Sequence, residues 1–64
     1  RPEECEEIYR WLYDNLEIIN KNEDAQDKAV LIIKQGLVDH SFVADPEINL
    51  ASVMIKLARL SNGQ

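Results

Sequence analysis

Apolar residues recur at Cys5, Ile8, Tyr9, Leu12, Leu16 and Ile19, the spacing of three and four that marks one face of a helix. Tyr13 falls at the edge of that face, and Glu3, Glu7, Arg10, Asp14 and Glu17 fall opposite it. Pro2 suits a first helical turn, where its missing N–H costs nothing. Glu3, Glu4, Glu6 and Glu7 set negative charge against the positive end of the helix dipole. The pattern predicts a first helix over residues 3–19. Trp11 and Ile18, a heptad apart, form a strip beside the main stripe. The polar run 20–24 ends this pattern, and Asn22 or Asp24 is suited to cap a second helix over 23–35. Ala25, Ala29, Ile32 and Ile33 make its stripe, which Val30 and Leu31 widen to nearly all-round hydrophobicity, so this helix should be central. Gly36 is placed to act as its left-handed stop.

Residues 37–44 alternate poorly, and we expect extended or irregular structure there, with a helical turn as the alternative. Asp45-Pro46-Glu47 is firmer punctuation: a cap acceptor, a proline at the first helical position and an acid in the first turn. A third helix should run over 46–60 and stop at Ser61-Asn62-Gly63. Its polar residues Asn49, Ser52, Lys56 and Arg59 gather within about 80° of the helical wheel, leaving an apolar surface wider than two short neighbours can cover. The expectation is a mainly α fold, a three-helix bundle with a short irregular link at 37–45, forming one domain over 1–64. Leu12, Leu16, Ile32, Ile33, Ile48 and Ile55 are the expected core. Trp11, Ile18, Leu50, Val53, Met54, Leu57 and Leu60 are the candidate protein-interface residues.

Size sharpens that expectation. A domain of 64 residues buries only roughly 60% of the surface its unfolded chain exposes and usually needs a staple or a partner. One cysteine cannot close an internal disulfide, and Cys5 with the single histidine His40 is too little for a protein-only zinc site. A second copy, another protein or the remainder of a longer chain is then the expected support. The sequence opens at Arg1 without an initiator Met, as an excerpt would.

Charge narrows the partner. Twelve acidic residues against seven basic ones give a net charge of -5, the wrong sign for neutralising phosphates or docking on anionic lipid. Residues 1–24 hold eight acids and three bases, whereas 25–64 hold four of each. The excess is therefore confined to the first segment, read as a solvated helix face. No apolar run is long enough to span a bilayer, no cleavable signal pattern opens the chain, and one free cysteine suits a reducing, intracellular setting, expected to be the cytoplasm.

Candidate chemistry is sparse. Asp39, His40 and Ser41 are adjacent, but a nucleophile, base and orienter must converge in space rather than follow one another, so His40 reads as a surface or loop residue. Cys5 reads as a small buried hydrophobe. Glu3, Glu4, Glu6 and Glu7 lack any calcium-loop spacing, and neither glycine precedes a helix as a phosphate loop requires. We expect no enzyme, no cofactor, no metal and no small-molecule substrate.

Trp11-Leu12-Tyr13 with Leu16-Glu17, then Ala25, Ala29, Ile32-Ile33-Lys34 and Gly36-Leu37-Val38-Asp39-His40, resemble the DEP domain found in Dishevelled and several G-protein signalling regulators. The resemblance covers about half the chain. It implies a winged-helix α+β fold with a strand entered after Gly36, and a signalling docking module with the 17–24 loop as a contact. The chain lacks room for that family's β-hairpin arm, and 46–60 reads as helix where the family ends in strands. The reading taken forward is a non-catalytic protein–protein interaction or oligomerisation domain, most simply a two-fold dimer. The DEP-like docking module and a small dimeric DNA-associated regulator are its alternatives.

Overall fold

The structure, a computed structural model, describes residues 2–63. Within them the chain forms α1 (Pro2–Asp14), α2 (Leu16–Ile19), α3 (Glu23–His40) and α4 (Pro46–Ser61), and no strand. The mainly helical bundle expected from the sequence is thus the fold, with two changes of boundary.

The expected first helix is broken at Asn15, whose backbone (φ -131°, ψ 41°) leaves the helical region. Its side-chain amide donates to the Trp11 carbonyl at 2.8 Å, supplying locally what the next helical turn would otherwise supply. The short α2 that follows turns Ile19 into the core and half-buries Leu16. Asn22 is the cap of α3, its side chain accepting from the Ala25 N–H at 3.1 Å. Asn20 locks the turn from both sides. Its side-chain oxygen accepts from the Asn22 N–H, its carbonyl accepts from the Gln26 amide, and its own amide donates to the Leu60 carbonyl near the end of α4.

The second change is larger. Residues 37–40, expected as extended or irregular, continue α3, and Gly36 is a buried mid-helix residue rather than a left-handed stop. Glycine suits this position because α4 packs close against it. A Cβ at Gly36 would lie 2.6 Å from Val53 Cγ2 and 3.1 Å from Tyr9 Cε1. The strand implied after Gly36 by the DEP resemblance is helix, so the winged-helix α+β alternative is not the fold. The loop 41–45 then leads to Asp45, which caps α4 by accepting from the Glu47 and Ile48 N–H groups at 3.0 and 3.3 Å. Gly63, at φ 80°, supplies the left-handed stop expected after the last helix.

All four helices converge on one core of Cys5, Tyr9, Leu12, Ile19, Ala29, Ile33, Val53, Leu57 and Leu60. Tyr9 lies at its centre with no exposed surface. The Asn49 amide donates to the Tyr9 hydroxyl oxygen and to the Gly36 carbonyl, each at 3.0 Å. One side chain of α4 thereby ties α1 to α3, and Asn49 belongs to the packed side of α4 rather than to its solvated face. The bundle measures 33 × 20 × 14 Å, so its thin dimension admits two layers of helices packed about 8–10 Å apart.

Two consequences can be measured. Gly36→Ala should lower unfolding free energy by about 1–2 kcal/mol in urea titration, because overpacking outweighs the propensity gain of alanine. Burial pushes the Tyr9 hydroxyl above its ordinary pKa. Its contribution to stability is therefore complete below pH about 10, the unfolded value, and is lost as pH climbs through the raised folded value. Tyr9→Phe should remove that alkaline loss from a melting-temperature profile.

Candidate interaction surface

The core fixes the rotation of α4, and the rotation decides what faces outward. Asn49 and Leu50 are half-buried and Val53, Leu57 and Leu60 are buried, all on the side that packs against α1 and α3. On the opposite side Ile48, Ala51, Ile55 and Ala58 are exposed, with Ile48 at 68% and Ile55 at 55% of their full accessibility. These four positions advance by three, four and three residues, the interval that keeps side chains on one line along a helix.

The apolar surface continues from this line across the groove between α4 and α1. One hollow is lined by Glu4, Cys5 and Ile8 of α1 with Glu47, Leu50, Ala51 and Met54 of α4. A second is lined by Trp11 and Leu12 of α1, Ile18 and Ile19 of α2, and Met54, Leu57 and Ala58 of α4. Met54 belongs to both, so the two join into one groove, apolar except for Glu4, Glu47 and Ser61, and flanked by the half-exposed Trp11 and the exposed Ile18.

Three of the seven candidate interface residues, Trp11, Ile18 and Met54, therefore lie together on this surface. Of the other four, Val53 and Leu60 are core residues away from it, and Leu57 and Leu50 line its floor but are buried and half-buried against the core. Conversely Ile48 and Ile55, expected inside, are outside. The surplus of apolar surface on the last helix is real, but it sits on the other side of the helix from the one expected. Two lines of apolar residues run along α4, and composition alone does not rank them. Asn49 was the available discriminator: a polar side chain flanking one line can equally mark a buried hydrogen bond, as it does here.

A third groove lies between α1 and α3, lined by Glu6, Tyr9, Arg10, Tyr13, Val30, Ile33, Lys34 and Leu37. Arg10 pairs with Asp14 at 3.2 Å and lies 5.4 Å above the Tyr13 ring, which closes its upper edge with charge. His40 is not the surface residue expected. Its side chain is 7% exposed, with Nε2 3.4 Å from the Glu6 carboxylate and the ring set edge-to-face against Tyr9 at 6.0 Å. Its Nδ1 is buried without a hydrogen-bond partner. The arrangement braces the end of α3 against α1. Among the described residues, no three His, Cys, Asp or Glu side chains gather as a metal would require, and no helix is long and apolar enough to cross a membrane. Compared with protein-family models, curated proteins and solved structures, the chain matches none of them.

The two sides of α4 should respond differently to charge. Leu57→Asp places a carboxylate in the core and should cost more than about 4 kcal/mol, enough to unfold a domain of this size. Ile55→Lys should leave the helical circular dichroism signal and the melting temperature of dilute protein nearly unchanged.

Proposed function

We propose that this chain is a non-catalytic protein–protein interaction domain that self-associates through the apolar face shared by α1, α2 and α4. The observation that carries this reading is the outward line on α4, continuous through Met54 with Trp11 and Ile18. Scattered apolar residues on a surface are ordinary, whereas a contiguous patch marks a contact site. Trp is also the residue type most often found at the energetic centre of interfaces.

Magnitude favours a modest affinity. Trp11, Ile18, Ile48, Met54 and Ile55 are each about half exposed, so covering one contributes about 1 kcal/mol. Five such residues from each copy in a dimer offset a large part of the roughly 4–15 kcal/mol that association costs. At the low end of that cost the balance is about -6 kcal/mol, a dissociation constant of tens of micromolar, and a higher cost makes the association weaker still. The acidic outer face of α1 keeps the assembly soluble and repels nucleic acid and anionic lipid. The free Cys5, buried in the core, accords with a reducing, intracellular setting.

Light scattering at micromolar and millimolar chain concentration tests the reading. The mass should rise toward that of a dimer, and Trp11 emission should move to shorter wavelength in step. A constant monomer mass with unchanged emission across that range overturns it.

A further inference from the structure

The exposed line on α4 carries more than a general tendency to stick. Written as a heptad, Ile48 and Ile55 occupy the a positions and Ala51 and Ala58 the d positions, with Asp45, Ser52 and Arg59 at e. All seven are exposed. The core residues Val53 and Leu60 fall at f, diametrically opposite. Nothing else in the bundle has to move for a second helix to lie along this line.

We infer that the line pairs antiparallel with α4 of a second copy of this chain, about a two-fold axis level with residue 53. The inference rests on the self-association reading and specifies its geometry. In an antiparallel pair each a position packs against a d position of the other helix. Ile48 then seats on Ala58 of the second copy and Ala51 receives its Ile55, a large side chain against a small one in every layer. The parallel alternative stacks isoleucine on isoleucine and alanine on alanine, so half its layers are crowded and half are hollow. Sliding the antiparallel pair by one turn drives an isoleucine off the end of the line.

Charge selects the same arrangement. Antiparallel pairing brings e positions together along one flank, so Arg59 of each copy meets Asp45 of the other, once at each end. The Arg59 side chain makes no ion pair among the described residues. One oxygen of Asp45, Oδ1, is taken by the helix cap, and this leaves Oδ2 for the guanidinium. Parallel pairing offers Arg59 only the uncharged Met54. The line is about 15 Å long, short of a standard interface by itself. Met54, on the flank toward α1, extends it into the groove, in keeping with the weak association derived above.

Within one chain Asp45 and Arg59 stand about 21 Å apart along the helix, more than two Debye lengths at physiological salt. Any energetic coupling between them must therefore act between copies. A double-mutant cycle on the dimer dissociation constant, by sedimentation equilibrium at physiological salt, exploits this. Arg59→Glu should weaken the dimer about tenfold, and in a background of Asp45→Asn, which keeps the cap, its effect should shrink severalfold. Ile55→Lys should abolish the dimer while helix content persists. A dimer that survives Ile55→Lys, or equal Arg59→Glu effects in both backgrounds, overturns the antiparallel pairing while leaving self-association standing. A wild-type chain that stays monomeric overturns both.

Discussion

The close approach of α3 and α4 at Gly36 is the constraint from which the rest of the molecule follows. Because residue 36 has no Cβ, Val53 can seat against the α3 backbone, and the Asn49 amide can reach both the Gly36 carbonyl and the Tyr9 hydroxyl. Val53 packs and Asn49 bonds directionally, four residues apart on one face, so together they fix the rotation of α4 about its axis. A helix so fixed has no freedom in what it shows to solvent. The outward line Ile48, Ala51, Ile55 and Ala58 is the geometric complement of the Gly36 contact.

Much of the fold was legible because it is written in local chemistry. The cap oxygens of Asn22 and Asp45, the proline at position 46 and the left-handed Gly63 act within a turn of themselves, and all fall where the pattern places them. Cys5, Leu12 and Ile33 are core as their periodicity requires. The departures share a cause, which is that a distant element decides them. Gly36 reads as a helix stop on its own and becomes a packing site only once Val53 is known to lie over it. Asn15 breaks α1 through a hydrogen bond to Trp11 that spacing does not signal. His40 reads as a loop residue until α3 is extended far enough to bring it under Glu6 and Tyr9. For α4, two apolar lines compete, and the side chain that ranks them sits forty residues away at Tyr9.

Smallness explains why the outward line exists at all. Two helical layers can enclose the inner side of each helix but never both sides of one. A larger domain would cover α4 with a further element, whereas here that place is open. Folding and association are linked in consequence: anything that binds only the native state raises its apparent stability by mass action. A core of this size leaves little margin, so any partner that covered α4 would also protect the fold.

The charge distribution favours α4, over the other long helices, for the proposed contact. In α1, Glu3, Glu4, Glu6, Glu7 and Asp14 stand against Arg10 alone, and α3 also carries more acids than bases. Two copies meeting through either would bring like charges together over a distance shorter than the Debye length. On α4, Glu47 is outnumbered by Lys56 and Arg59, and the outward line itself is uncharged. Among the described residues it is the long helix along which a chain of net charge -5 can approach its own copy without strong repulsion. An acid at the start of that helix and a base at its end then make the antiparallel approach the attractive one.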